Sequence, residues 1–289
     1  IEGLFRYNMR GGLSLQVLDR YTYGQDRFEI GSASRGNLRR FNSNIFMGTV
    51  DYTITDKVRV KGDYSNFYLN YDDDINAFLN RQDNSFDIYA YYIYSLKTDF
   101  FLQYRYTDVK YDDLNQKDNQ QHYVYGGITW DTTEKMSLRF KAGYQFRQYE
   151  NDIVADGYDW EGFTFDLQTR YKWTEKTQFT MDLYRKSEES DSAAAVDKVA
   201  LGIAFGYQQK YTDKLTGVVN FTYESADYSQ ISATSSRDDD RYYIRPALQY
   251  LFREWLMTEL AYSYDKREST EDLFDYDSNT VMLNINLAM

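Results

Sequence analysis

The segment from Met136 to Tyr149 alternates apolar or small residues with polar and cationic ones, reading M-S-L-R-F-K-A-G-Y-Q-F-R-Q-Y. Successive side chains of a β-strand point to opposite faces, so this period of two predicts a strand with one apolar and one polar face. The same alternation returns at regular intervals along the whole chain. Every such strand needs an apolar environment on one face and a polar environment on the other.

Reading the whole chain by this period predicts fourteen strands. We interpret the first as one long strand whose phase continues back through Gly11 and Gly12 to Phe5, although the two glycines could instead form a hairpin turn. The fourteen segments are 13–23, 46–54, 58–71, 86–96, 100–107, 123–130, 136–149, 163–173, 177–186, 199–207, 215–224, 242–252, 256–265 and 280–289.

The connections between these segments alternate between short turns and long acidic loops. The short ones share a Thr/Asp/Glu-Lys pattern, as in Thr55-Asp56-Lys57 and Thr174-Glu175-Lys176. Most segments also reach the roughly 9 to 11 residues that a tilted strand needs to cross a bilayer. Short periplasmic turns and long extracellular loops are typical of outer-membrane barrels. We therefore predict one domain over residues 1–289, a transmembrane antiparallel up-and-down β-barrel in the outer membrane of a Gram-negative bacterium.

Composition excludes several other classes of protein. Aromatic residues make up 18% of the chain, but the mean hydropathy is -0.72 and no apolar run approaches the roughly 18 residues of a membrane helix. The net charge of -12 argues against a nucleic-acid partner, which would need a basic surface. A soluble β-sandwich or lipocalin-like barrel is the alternative, but sandwich strands are usually shorter and soluble domains use more proline than the single one here.

Aromatic residues near the ends of the predicted strands indicate two interfacial girdles, because amphipathic rings favour the headgroup depth of a membrane. Three of the four tryptophans lie at the short-turn ends, whereas tyrosine marks the strand ends next to the long loops. The predicted girdle residues are Trp130, Trp173 and Trp255 on one side, and Tyr23, Tyr71, Tyr106, Tyr149, Tyr223 and Tyr264 on the other.

If the apolar residues face lipid, the alternate residues line the interior, which is then polar and locally basic. Cations beside aromatic rings suit acidic sugars, because guanidinium groups bind carboxylates and rings stack on sugar faces. Alternatively, the cations pair with carboxylates such as Asp166, Asp182 and Glu259 and fill the interior with salt bridges. The predicted pore-lining residues are Arg59, Lys61, Tyr89, Tyr91, Arg105, Tyr123, Tyr125, Arg139, Lys141, Arg147, Arg170, Lys172, Asp182, Arg245 and Glu259.

No catalytic, cofactor or metal site is expected from the sequence. The single histidine, His122, would have to serve any Ser-His nucleophile, and no orienting acid or oxyanion signature accompanies it. The acidic runs 72–74 and 238–240 could hold calcium but lack the spacing of a dedicated calcium loop. We interpret them as solvated loops that contact lipopolysaccharide through divalent cations.

Two irregularities interrupt the alternation. Around Ser65 and Asn66 the apolar phase slips by one residue, which predicts a β-bulge. Pro246 lies within a predicted strand, where its missing N–H requires that a ladder hydrogen bond be absent or displaced.

Several segments resemble the beta-barrel porin type 2 family. They are 126–131 (Gly-Gly-Ile-Thr-Trp-Asp), 141–145 (Lys-Ala-Gly-Tyr-Gln), Gly162-Phe163, and 177–185 with its Leu-Tyr-Arg close. The resemblance implies an outer-membrane barrel associated with exopolysaccharide or capsule export, working with a periplasmic polysaccharide export protein. Family members are commonly longer, which makes sixteen strands the alternative count.

The leading functional hypothesis is therefore an outer-membrane conduit for an exopolysaccharide or capsular polysaccharide. A non-conducting structural or binding barrel, whose acidic loops contact lipopolysaccharide or a partner protein, is the second hypothesis. A general diffusion porin is the third, and it predicts a loop folded into the lumen. Only the longest connections, 25–40 and 225–241, are candidates for such a loop.

Overall fold

The computed structural model describes residues 1–25, 40–133, 135–150, 159–230 and 236–287. Those residues form one antiparallel sheet of fifteen strands, in which each strand pairs with the next along the chain. The strands are β1 (Glu2–Asn8), β2 (Leu13–Gln25), β3 (Arg40–Thr55), β4 (Val58–Tyr71), β5 (Arg81–Ser95), β6 (Thr98–Tyr111), β7 (Asn119–Thr133), β8 (Met136–Tyr149), β9 (Trp160–Lys172), β10 (Thr177–Glu189), β11 (Ala195–Lys210), β12 (Leu215–Gln230), β13 (Arg237–Arg253), β14 (Leu256–Ser269) and β15 (Tyr276–Leu287). The predicted all-β, up-and-down architecture is confirmed.

The prediction of a single long first strand is wrong. Gly11 and Gly12 have φ angles of +98° and +85°, and they connect β1 to β2 as a hairpin in which Asn8 pairs with Ser14. Positive φ costs glycine little because it has no Cβ. Both arms of this hairpin carry the same alternation, so the period alone could not show the reversal of direction at the glycine pair.

The long connections contain short helical turns, at Ala77–Leu79, Asn115–Lys117 and Asp272–Phe274. No helix among the described residues is long and apolar enough to cross a membrane. Several strands also extend beyond their apolar segments into polar residues. For example, β13 begins at Arg237, because its polar first residues still pair with β12 and β14.

The two faces of the sheet differ in environment. One carries large exposed apolar side chains such as Ile88, Leu102 and Val281, with 65%, 68% and 72% of their surface exposed. The other is polar and makes contacts between strands that are not neighbours, as where the Tyr111 hydroxyl on β6 donates to Glu189 on β10 at 2.7 Å. The sheet therefore curves around this second, inner face.

The strand register tests both predictions made from irregularities in the alternation. No bulge occurs at Ser65 and Asn66, since β4 pairs there with β3 and β5 without a register shift. Phe67 instead lies on the inner face, where its ring contacts the Arg81 guanidinium. The predicted ladder interruption at Pro246 is confirmed, because the β13–β14 pairing skips from Ile244 to Ala247.

Candidate functional site on the inner face

The fifteen predicted pore-lining residues all occupy inner-face positions of their strands. Cross-strand pairing aligns them in rows, as where Arg59 pairs with Tyr91 and Lys61 with Tyr89. On the next strands Arg105 pairs with Tyr123. The positively charged predicted residues are thus gathered mainly on the neighbouring strands β4 to β9.

Four of these cations lie directly over inner-face aromatic rings. The rings are themselves 3–8% exposed, and two pairs of tyrosines on β5 and β7 stack with centroids 5.8 Å apart. Such placement stabilises a cation by attraction to the ring face. The pairs, with distances to the ring centroid, are Arg59 over Tyr91 at 4.1 Å, Lys61 over Tyr89 at 5.1 Å, Arg139 over Phe101 at 5.4 Å and Lys141 over Tyr125 at 4.5 Å.

This arrangement corrects one part of the sequence interpretation. The rings under the four cations are covered, so they cannot offer open faces to stacking sugars. These rings instead hold the cationic groups above the inner face of the sheet. We refer to these four ring-supported cations, Arg59, Lys61, Arg139 and Lys141, as the cation band.

Ion pairing divides the inner-face cations into two groups. Some have carboxylate partners: Lys61 lies 2.7 Å from Asp63, Arg105 lies 2.7 Å from Asp87, Arg245 lies 2.5 Å from Glu259, and Arg59 lies 3.6 Å from Asp51 and 3.8 Å from Asp99. Within the described part of the chain, a second group forms no salt bridge: Arg139, Lys141, Arg170 and Lys172. The interior therefore combines paired charges with a cluster of unneutralised cations on β8 and β9.

The end of the β10–β11 hairpin that connects its two strands separates from β9 and turns inward. Pairing of β10 with β9 ends at Arg185, opposite Phe165, although β9 continues to Trp160. Pairing of β10 with β11, by contrast, continues to Glu189 opposite Asp197. We refer to this end of the hairpin, residues 186–199, as the inner hairpin.

One face of the inner hairpin packs on the inner wall formed by β6, β7 and β8. Its central contact joins the guanidinium of Arg147, 1% exposed, to Glu189 at 2.8 Å, with Asp197 at 3.9 Å. The same Glu189 carboxylate accepts hydrogen bonds from Tyr111 at 2.7 Å and from Gln121 at 2.8 Å. A buried carboxylate with this many donors is strongly held.

The tip of the inner hairpin is contacted from two widely separated parts of the wall. From the β6–β7 connection, Lys117 Nζ donates to the carbonyls of Ser190 at 3.3 Å and Ser192 at 3.1 Å. From β14, Arg267 lies 3.8 Å from Asp191. Because these two wall elements are far apart in the strand order, the tip lies across the lumen.

Two charged groups at the tip have shifted pKa values. Burial lowers the pKa of Lys117 to about 8. Burial by itself would raise the pKa of Asp191, but the cations near it outweigh burial and lower it below its ordinary value. The groups around Asp191 are Lys198, Glu224, Tyr228, Arg237, Asp239, Arg241 and Arg267.

The inner hairpin is not predicted by the sequence pattern, which offers only the longest connections, 25–40 and 225–241, as candidates for an inward loop. Their described ends lie in strands, and residues 26–39 and 231–235 lie outside the described residues. The available signal was the run of small residues from Ser190 to Ala195. Small side chains suit a tight tip, in which Ser190, Ser192 and Ala195 are buried while Ala193 and Ala194 stay exposed.

Two of the predicted girdle residues do not face lipid. Tyr149 lies on the inner face, where its hydroxyl donates to Asp197 at 2.9 Å. Tyr71 also occupies an inner-face position, with its ring 5.9 Å from that of Phe41. Both residues lie at strand ends. There, the odd or even position of a residue along the strand, and not its distance from a loop, decides which face of the sheet it occupies. Five others occupy outer-face strand positions: Tyr23, Tyr106, Trp130, Tyr223 and Tyr264. Trp173 and Trp255 lie exposed in the short turns that follow β9 and β13.

His122 lies on the outer face, with its Nδ1 2.8 Å from the Tyr104 hydroxyl and its ring 5.2 Å from that of Tyr106. It therefore belongs to an aromatic cluster away from the inner-face residues. The described residues contain no group of three or more His, Cys, Asp or Glu that could hold a metal ion.

Comparison with known proteins gives one family and many barrel structures. A family model described as Putative beta-barrel porin 2 matches residues 57–289. The FrpB iron transporter from Neisseria meningitidis is similar with a TM-score of 0.57 and 9% identity, over 96% of this chain and 52% of that one. The alcaligin outer-membrane receptor FauA from Bordetella pertussis gives 0.54 and 11%, over 98% and 55%.

The chain thus spans about half the length of these structures, and at such low identity the likeness concerns the fold alone. No curated protein sequence matches the chain.

Proposed function

We propose that this chain, which belongs to the Putative beta-barrel porin 2 family, conducts an anionic polysaccharide outward across the outer membrane. As a porin-family barrel it lies in the outer membrane of a Gram-negative bacterium. The proposed cargo is an exopolysaccharide or capsular polysaccharide, and the proposed role is that of a passive, non-catalytic conduit.

The observation that supports this proposal is the set of cations held on the inner face without carboxylate partners. Arg139 and Lys141 lie over aromatic rings, and among the described residues neither forms a salt bridge. A polymer of uronic acids or other acidic sugars presents a carboxylate on successive units. Guanidinium and ammonium groups held by rings would bind each carboxylate weakly and in turn, which allows the polymer to move.

The partners proposed for this role follow the same chemistry. The outer apolar face contacts outer-membrane lipid, and the acidic loop ends contact lipopolysaccharide through divalent cations. A periplasmic polysaccharide export protein would deliver the polymer to the short-turn side of the barrel.

The experiment uses the purified protein in planar lipid bilayers with the double variant R139E/K141E. We expect the parent channel to favour anions and the variant to favour cations, because the variant reverses two charges on the conducting face. Oligogalacturonate should block current through the parent at concentrations well below those of a neutral malto-oligosaccharide of equal length, and the variant should lose this preference.

The matched control is K110E/K266E, which changes the net charge equally but at outer-face positions. Its ion selectivity should stay that of the parent. Equal block by acidic and neutral sugars, together with unchanged selectivity of R139E/K141E, would contradict the proposal. In the parent organism, unchanged polysaccharide secretion after deletion of the gene would contradict the export role in particular.

A second candidate, a general diffusion porin, is favoured by the inner hairpin. A segment across the lumen, such as residues 186–199, narrows a pore and sets a size limit for solutes. This candidate predicts that small neutral sugars permeate reconstituted vesicles at rates set by their size. A conduit for an acidic polymer instead predicts discrimination by charge.

A further inference from the structure

We infer that the inner hairpin, residues 186–199, is a gate with two defined positions: docked across the lumen, as in this structure, or zipped onto the free edge of β9. The inference concerns passage of any solute, so it stands independently of the proposed polysaccharide cargo.

The first support is the way the inner hairpin is attached. Beyond Arg185 it has no backbone ladder to β9. At that point the Arg185 carbonyl accepts from Thr164 Oγ1 at 2.6 Å, and the Arg185 guanidinium donates to the Phe163 carbonyl. On the β6–β8 side the hairpin is held through side chains, such as Gln145, which bonds both the N–H and the carbonyl of Ser187. Its β11 half stays paired with β12 as far as Ala195 opposite Gln230. The hairpin would therefore move together with the end of β12, and only its side-chain contacts to β6–β8 would be exchanged.

The second support is a ready alternative for the same backbone. Continuing the β9–β10 register past Arg185 and Phe165 places Lys186 opposite Thr164 and Glu189 opposite Glu161. The β9 residues 160–164 are already extended, so β10 could pair along them as an ordinary antiparallel ladder. In that position the hairpin would lie in the wall and the lumen would be clear.

The third support is that several docked contacts converge on one buried charge. The Glu189 carboxylate pairs with Arg147 and accepts hydrogen bonds from Tyr111 and Gln121. Lys117 donates hydrogen bonds to the carbonyls at the tip. In the zipped position Glu189 would move to the outer surface and leave Arg147 behind. One buried ion pair therefore biases the equilibrium between the two positions.

The test measures single-channel conductance in potassium chloride for three kinds of variant. The chain has no cysteine, so introduced pairs react without interference. E161C/E189C joins residues that are opposite each other only in the zipped position. K117C/S190C, joined by a short reversible bis-thiosulfonate linker, holds the docked position. E189Q weakens docking without a cross-link.

We expect the E161C/E189C disulfide to form and to give persistently high conductance. Linked K117C/S190C should stay at the lowest conductance level until the linker is reduced. E189Q should raise the ratio of open to closed time about a hundredfold, because truncating a buried ion pair shifts an equilibrium by at least that factor. E188Q is the matched control, since Glu188 is adjacent but its ion pairs with Lys186 and Lys198 are partly exposed; its ratio should change less than about fivefold.

The proposal of a gate is contradicted if the E161C/E189C disulfide does not form and linked K117C/S190C still opens as often as the parent channel. If E189Q does not fold, the two cross-linked variants decide the question by themselves. Loss of acidic-sugar preference with intact gating would count against the polysaccharide role only, so failures of the two proposals are distinguishable.

Discussion

Replacing Arg147 with methionine should be among the most destabilising single changes in the described sheet. The Arg147 guanidinium is 1% exposed and lies 2.8 Å from Glu189 and 3.9 Å from Asp197. At an effective dielectric constant of about 20, these separations give roughly 6 and 4 kcal/mol of attraction. Removing the charge also removes its desolvation cost of several kcal/mol, so we expect a net loss of about 3 to 5 kcal/mol.

The assay is reversible urea unfolding of the protein reconstituted in lipid vesicles, followed by tryptophan fluorescence. The matched control is R20M, because Arg20 pairs with Glu2 at 2.6 Å while its side chain is 50% exposed. An exposed pair contributes at most about 1 kcal/mol, so R20M should lose no more than that. Equal losses for R147M and R20M would refute the reasoning that burial, and not pairing itself, makes the inner-hairpin contact important.

Two further predictions test the packing of the inner face and the charge at the hairpin tip. A Cβ on Gly127 would overlap the Phe101 ring, whereas one on Gly126 would stand 3.9 Å from Leu102; G127A should therefore cost about 1 to 3 kcal/mol in urea unfolding and G126A much less. Burial raises the pKa of Asp191, but Lys198 of the inner hairpin itself and Arg267 and Arg237 of the wall lower it below its ordinary value. Attraction to the two wall arginines favours docking, and this contribution is present above the ordinary pKa of about 4 and is lost as the pH falls through the lowered value. Single-channel open probability should consequently rise on acidification below about pH 4, and D191N should show a smaller rise; an equal rise in D191N would assign the effect to other carboxylates.

The sequence by itself determined the architecture and the two faces. Alternation such as that from Met136 to Tyr149 requires a strand with one apolar face, and its recurrence requires a sheet that places all apolar faces on one side. That is why the inner-face positions of all fifteen candidate residues could be read from parity alone. Tyr149 follows the same rule: its nearness to a loop suggests the girdle, but its position in the alternation of β8 directs it inward.

Only the tertiary structure decided what the inner face does with its charges. Alternation gives no distance between residues far apart in sequence, so it could not show that Lys141 lies over Tyr125 or that Arg147 reaches Glu189 from another part of the sheet. The inward turn of β10 at Arg185 arises from contacts across the lumen and leaves the local period unchanged. The sequence therefore specifies strands and faces through local geometry, whereas the cation band and the inner hairpin depend on how the curved sheet brings distant side chains together.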